Sequence, residues 1–311
     1  MREIGGYIEL DTYTGSMLHE DGIKLNCGRS ALSYLIKAKG IKHILMPKFM
    51  CDSCDKVLRD NNVSVKYYSI DSDFKPISIV RKSEEWLYLV DFYGQLSDKD
   101  VTSFGTNVIL DNAQAYFKEH IEGIDTLYTC RKFFGVPDGA ILYTDKELGN
   151  IPQDESFERM RFLLGRFERS ASEFYGEYVK NNHFFADEPI KKMSKLTENL
   201  LHGIDYEKIK NIRTENFKCL HSSFEPINKL NLVVPEGAFM YPLYMDNGEE
   251  IRRKLQAQKI FVPTLWPSVF NICDENELEY NMAKNILPLP VDQRYSIDDM
   301  EYMVKTILSF I

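Results

Sequence analysis

The stretch Tyr128-Thr129-Cys130-Arg131-Lys132-Phe133-Phe134-Gly135-Val136-Pro137-Asp138-Gly139-Ala140, which runs on into Ile141-Leu142-Tyr143-Thr144, decides how this chain is read. Most lysines are solvated surface groups. Lys132 instead stands between a cysteine, two phenylalanines and a Gly/Pro turn. Apolar surroundings disfavour the charged ammonium, and the neighbouring Arg131 charge pushes in the same direction. The neutral amine is the form that makes a Schiff base. The expectation is a partly desolvated, nucleophilic amine at position 132, followed by a buried strand.

Upstream, Asn107–Asp111 (NVILD) reads as another buried strand, with Asp111 at its end and Asn112-Ala113-Gln114-Ala115 after it. In parallel sheets, ligands sit outside the carboxyl ends of the strands. A carboxylate there points at a ligand or caps the next element. Further upstream, Asn26-Cys27-Gly28-Arg29-Ser30-Ala31-Leu32 is a loop opening a helix. The first amides of a helix have no internal partner, and its dipole favours anions, so such an opening suits phosphate. Gly28 permits close backbone approach. Arg29 and Ser30 offer a charge and a hydroxyl; the alternative is a plain Gly turn before an amphipathic helix.

Around these pieces the pattern alternates. Ser30–Lys39 has helical spacing and stops at Gly40; His43–Met46 is a short strand ended by Pro47; Cys51–Asn61 reads as a helix. Val63–Ile70 is β-rich, and Trp86–Tyr93 is a near-continuous apolar run, as in a strand covered on both faces. Strands alternating with helices predict an α/β domain with a mostly parallel central sheet. From about residue 150 the chain becomes charged with helical spacing, over Glu155–Lys180, Pro189–Leu201 and Tyr206–Leu220. Strand-like runs return as LNLVVP (230–235), FMYPLYM (239–245), KIFVP (259–263) and NILPLP (285–290), with helices over Glu249–Gln258 and Ile297–Phe310. The predicted division is a large domain, 1–185, with a helical connector from about 150, and a smaller C-terminal α+β domain, 186–311.

The 311 residues carry a formal net charge of -9, a surface that repels a phosphate backbone and argues against nucleic acid as partner. No apolar run reaches the roughly 20 residues of a membrane span. The first residues, MREIGGYIELDTYTG, have no apolar signal core, so the expected location is the cytoplasm. Six cysteines in a chain of this length are no disulfide scaffold. Cys51-x-x-Cys54 invites a redox or zinc reading, against a buried or helix-borne pair. Zinc would want a second close ligand pair, which is missing, and the six histidines show no ligand spacing, so no metal is expected.

Taken together, GRSAL at 28–32, DNAQ at 111–114 and KFFGVPDGA at 132–140 resemble, in that order, the DegT/StrS family of nucleotide-sugar aminotransferases. The segments PKFMCDSC (47–54), KYYSID (66–71), YGQLSD (93–98), FVPTLWP (261–267) and LPLPVDQRYSIDDMEYMV (287–304) sit where that family has similar ones. The resemblance implies the fold-type I architecture of pyridoxal 5'-phosphate (PLP) enzymes. It implies that Lys132 holds PLP as a Schiff base and that Asp111 binds the pyridinium nitrogen. Gln114 would approach the phenolic oxygen. Gly28, Arg29, Ser30 and Thr129, the last replacing a serine, would hold the phosphate. It also implies an amino-acid donor, glutamate by preference, a nucleotide-sugar acceptor, and a homodimer. The family places a ring-stacking aromatic where Cys51 aligns, which leaves Phe49 or Cys51 at the cofactor ring. Arg29 replaces a Thr or Ser. The family's interfacial Gly-Tyr-Asn-x-Arg segment is missing, and SEFYGEYVKNN (172–182) is the nearest stretch. The alternatives are another fold-type I PLP enzyme or a catalytically degenerate PLP-binding protein.

Overall fold

A computed structural model describes residues 4–311. Seven strands form the central sheet: β1 (Ile23–Leu25), β2 (His43–Pro47), β3 (Ser64–Tyr68), β4 (Trp86–Val90), β5 (Val108–Asp111), β6 (Asp125–Thr129) and β7 (Ala140–Tyr143). Their spatial order is β1-β7-β6-β5-β4-β2-β3. Strands β2 to β6 pair in parallel, and β7 runs antiparallel to both β6 and β1. The mostly parallel α/β architecture expected from the alternating pattern is therefore present. Its central strands are apolar on both faces, as VILD at 108–111 shows, being buried at every position.

Helix α1 (Gly28–Lys39) begins where the Cys27 sulfur accepts from the Ser30 amide and ends at Gly40. Gly40 takes the left-handed conformation (φ 64°) and returns its N–H to the Ile36 carbonyl, the ordinary glycine stop. Ser30, Ala31, Leu32, Tyr34, Leu35 and Ile36 are its buried residues. Helices α2 (Ser53–Asp60) and α3 (Asp98–Thr102) follow β2 and β4, the second opened by a reciprocal Ser97/Asp100 cap. Parallel pairing has a positional consequence. The carboxyl ends of β2, β4, β5 and β6 emerge at one edge, which brings the segments after Pro47, Val90, Asp111 and Thr129 together.

The charged stretch after 150 is less helical than its spacing predicts. It forms α4 (Arg161–Glu168) and α5 (Tyr175–Phe184), with Arg169–Phe174 turning between them. Residues 189–193 run extended beside β1, through Asn26 N–H to Lys191 O (3.0 Å) and Met193 N–H to Lys24 O (3.2 Å). Helix α6 (Lys195–Leu201) and the long α7 (Tyr206–Phe224) follow.

A second, two-stranded antiparallel sheet pairs β8 (Met240–Tyr244) with β9 (Ile286–Pro290). Around it lie α8 (Gly248–Ala257), α9 (Val269–Ile272), α10 (Leu278–Asn285) and α11 (Ile297–Leu308). Two of the four predicted strand runs are thus strands, and LNLVVP and KIFVP are not. Val233 is held at both backbone groups by the Gln95 side chain, N–H to Oε1 at 2.8 Å and O from Nε2 at 3.1 Å, so a side chain replaces the ladder. Pro235 ends that run without an N–H. In KIFVP, Lys259 is left-handed (φ 61°) and Phe261 is exposed. One continuous apolar core includes residues of both sheets. Among the described residues no helix is long and apolar enough to cross a membrane.

Candidate functional site

Asp111 ends β5 almost fully buried. Val90 is its register partner on β4, so Tyr88, two residues before Val90, projects from the same face. The Tyr88 hydroxyl donates to Asp111 Oδ2 (2.8 Å), and the Ala113 N–H donates to Oδ1 (2.8 Å). Burial pushes the Asp111 carboxyl above its usual range, opposed by the Lys132 charge, the Ala113 amide and Tyr88. Each oxygen has one protein donor, which leaves lone pairs for a cationic ligand group. No helix follows, so the capping alternative reduces to this one amide bond.

The Lys132 segment leaves β6 through a single 3-10 turn, Cys130–Lys132. The Phe133 carbonyl is pinned by Arg213 Nη2 (3.1 Å) from α7 and by Gln293 Nε2 (2.8 Å) from beyond β9. Phe133 and Phe134 turn into the core, and Lys132 stays exposed, its Nζ 5.6 Å from the Phe239 ring centroid. The apolar neighbours in sequence therefore do not bury the amine, contrary to the expectation from its flanks. Adjacent side chains in an irregular turn part company, and the phenylalanines take the inward places. The Lys132 charge nevertheless reaches both Asp111 and Cys51.

Asp138 closes the loop. It is fully buried and accepts from the Ser194 N–H (2.7 Å), the Ser194 hydroxyl (2.7 Å) and the Thr197 hydroxyl, tying the loop to the start of α6. Gly139 (φ 119°) gives its N–H to Asn26 O (2.6 Å) and accepts from Cys130 N–H (3.1 Å), which joins the loop to the approach to α1.

At that approach a Cβ on Gly28 would stand 3.0 Å from Thr129 Cγ2, so the α1 opening and the end of β6 touch. The Ser30 N–H goes to Cys27 Sγ and the Ala31 N–H to Cys27 O; among the described residues nothing takes the Gly28 and Arg29 N–H groups. Arg29 Nη1 donates to Asn182 O (3.2 Å), and Arg131 Nη2 donates to Asn182 Oδ1. Arg131 also lies over the Phe185 ring, 5.0 Å from its centroid. Burial lowers the Arg131 guanidinium from its usual value, and Arg29 adds to that. Among the described residues no carboxylate pairs with either arginine. Two converging guanidiniums without an anion beside a free helix opening form a cradle of the charge and donors that a phosphate monoester needs.

Ser30 and Phe49 depart from the expected roles. The Ser30 hydroxyl donates to Asn26 Oδ1 (2.6 Å) inside the buried first turn, so its one proton is already used. Phe49 is fully buried, with Trp266 (4.6 Å), Phe92 (5.4 Å) and Phe74 (6.4 Å) around its ring. It has no free face for a cofactor ring. Cys51 is half-buried near Lys132, with its sulfur 2.9 Å from Ser53 Oγ. Gln114 accepts from the Tyr93 N–H (2.8 Å), and its Nε2 makes no hydrogen bond among the described residues. Thr129 Oγ1 reaches only the Ala113 carbonyl, at 3.5 Å.

Sequence reasoning missed Tyr88, the role of Arg131 as an anion-facing group, and Asn182. Arg131 alone carried a readable signal, a second basic residue beside the reactive lysine.

Among solved structures, an aminotransferase of the DegT/DnrJ/EryC1/StrS type from Brucella abortus matches with a TM-score of 0.63, covering 93% of this chain and 85% of its own at 13% identity. It has their fold. S. venezuelae DesV, solved in complex with a ketimine intermediate, matches with a TM-score of 0.65 over 96% of this chain and 90% of its own, at 14% identity. The E. coli GDP-4-keto-6-deoxy-D-mannose-3-dehydratase with bound hydrated PLP gives 0.64 over 92% and 87%, at 13% identity. No family model matches the sequence, and no curated protein does. What this chain has in common with the DegT/StrS proteins at such identities is the course of the backbone.

Proposed function

We propose that this chain is a PLP-dependent aminotransferase that moves an amino group from an amino acid, glutamate by preference, to a nucleotide-linked keto-sugar. The observation that carries the reading is the convergence of an amine, a buried carboxylate and a carboxylate-free arginine pair at one edge of the sheet. These groups fit PLP's aldehyde, ring nitrogen and phosphate. Bound PLP would supply an electron sink for the substrate's α-carbon.

In this reading Lys132 Nζ holds the cofactor and, once displaced by the donor, moves the proton at the α-carbon. Asp111 keeps the ring nitrogen protonated, with Tyr88 and the Ala113 amide fixing its orientation. Gln114 offers Nε2 to the phenolic oxygen. Gly28, Arg29, Thr129 and Arg131 hold the phosphate. The DegT/StrS likeness supports the sugar acceptor; the homodimer follows from the resemblance of the motifs, and the cytoplasmic location and the division into 1–185 and 186–311 rest on the sequence pattern.

The test is borohydride treatment of PLP-saturated protein followed by peptide mapping. Lys132 should carry the label, and Lys132→Ala should be unlabelled and without turnover. Glutamate should bleach the yellow colour of the unreduced protein. An unmodified Lys132 would overturn the assignment. Yellow protein that no amino donor bleaches would instead point to a degenerate binding protein.

A further inference from the structure

We propose that Cys51 and Cys54 form a reversible dithiol–disulfide site beside Lys132, open to exchange with small disulfides such as oxidised glutathione. The geometry of α2 carries the inference. Asp52 is already in the right-handed helical region (φ -70°, ψ -6°), its carbonyl accepts from Asp55 N–H (3.0 Å), and Ser53 and Cys54 open the helix. Cys51 and Cys54 therefore stand one helical turn apart. Side chains at that spacing have Cβ atoms about 5–6 Å apart. A disulfide wants Cα atoms roughly 4.4–6.8 Å apart and Cβ atoms nearer 4 Å, so the bridge closes with a small adjustment at the helix start, where no side chain caps the first turn.

Exposure sets the order of events. Cys51 is half-buried and Cys54 is buried, so solvent reaches the first and not the second. The Cys54 thiol, Ser53 and the Lys132 charge favour the Cys51 thiolate and, against burial, hold it below the usual thiol range. Cys54 goes the other way, raised by its bond to Cys51 and by burial. This division suits an attacking and a resolving cysteine. The other thiols are held protonated, Cys130 at about 12 and Cys273 at about 11, with Cys27 and Cys219 also raised, all chiefly by burial. A zinc reading lacks its further ligands: among the described residues, the one group of three or more possible metal ligands is Cys273, Glu277 and Glu279.

The step balances. The Cys51 thiolate attacks one sulfur of the small disulfide and releases a thiolate. Cys54 gives up its proton and attacks Cys51 Sγ, releasing the second small thiol. The protein dithiol loses two electrons, and the small disulfide gains them. Closing the bridge removes a negative charge from beside Lys132. What that does to turnover rests on the proposed reaction, whereas the bridge itself does not.

The experiment is to equilibrate the full chain in glutathione buffers of stepped redox ratio, quench with iodoacetamide and map the peptides by mass. The expected result is a Cys51–Cys54 bridge forming before any other cysteine is modified. Cys54→Ser should trap glutathione on Cys51, and Cys51→Ser should leave Cys54 reduced. Alkylation of reduced Cys51 should follow a pH profile with a midpoint below that of an ordinary thiol, moved upward in Lys132→Ala. Both thiols remaining alkylatable in fully oxidised glutathione, or Cys54 oxidising in Cys51→Ser, would overturn the site. A chain that forms the bridge yet never takes up PLP would sink the proposed reaction and leave this inference standing.

Discussion

Asp111 illustrates how a buried carboxylate is kept usable. Tyr88 donates to one oxygen and Ala113 N–H to the other, without a full ion pair to consume it. Tyr88→Phe removes one donor from a buried charged acceptor, which costs about 1.5–3 kcal/mol. The expected outcome is a lower urea midpoint by that amount, with the fold retained by circular dichroism. Asp111→Asn should keep the fold and lower turnover by about 100-fold or more, the scale of losing one aligned electrostatic partner. His19 gives a pH dependence. Its ring stacks on Tyr128 (4.0 Å) and its Nε2 donates to Tyr116 O (2.8 Å); burial lowers its pKa despite that bond. A base with a depressed folded pKa contributes no penalty above its unfolded value of about 6.5. Stability is lost as pH falls below that value toward the folded one. Urea midpoints should fall as pH drops below about 6.5 in the wild type, and less steeply in His19→Gln. At this scale the placement of Asp111 at a strand end and of Lys132 in the turn after a strand was legible, because strand ends and turns leave local signatures, whereas the burial expected for Lys132 from its flanks was not. Ser30 and Phe49 were not, because which way a side chain faces is settled by neighbours distant in sequence. Tyr88 was hidden in WLYLV, where only cross-strand register sets it against Asp111.

Among the elements, the loop after Lys132 is the most tightly specified. Asp138 takes three hydrogen bonds from Ser194 and Thr197, so the acidic residue of KFFGVPDGA is an anchor between β7 and α6. Asp138→Ala leaves those donors buried and unpaired and should cost about 3 kcal/mol or more, read from denaturant unfolding. Gly139→Ala is strained at φ 119° and would bring Cβ to 3.0 Å from Cys130 Cβ and 3.2 Å from Thr197 Cγ2. It should destabilise the chain and disturb borohydride labelling at Lys132. The Asp-Gly pair was visible in the sequence, but the partners of Asp138 lie 56 and 59 residues on. The misread strands have a related cause. LNLVVP and KIFVP have strand composition, and whether such a run pairs depends on a free neighbouring edge, which Gln95 replaces in one case and a left-handed Lys259 precludes in the other.

Across the whole molecule, the arginine cradle and the surface of α4 and α5 are one structure. Helix α5 places Asn182 under both Arg29 and Arg131, while Tyr175 and Tyr178 are exposed. Helix α4 adds Leu164 and Phe167, the latter 91% exposed, and is held against α5 by the Phe162–Tyr178 ring contact (5.8 Å). Exposed apolar side chains on two helices that pack together are candidates for a surface that another molecule covers. If a second copy covered this surface in the proposed homodimer, the dimer contact would also steady the Asn182 carbonyl and side-chain amide that hold the two guanidiniums. Dimerisation and phosphate retention should therefore be coupled. Phe167→Glu, which touches neither arginine in sequence, should shift sedimentation toward the monomer and weaken PLP binding at least about tenfold, a loss near 1.4 kcal/mol. Arg131→Ala should weaken PLP binding and leave the dimer intact. If Phe167→Glu gave a monomer that held PLP as tightly as the wild type, the coupling through α5 would be refuted while the arginine cradle remained.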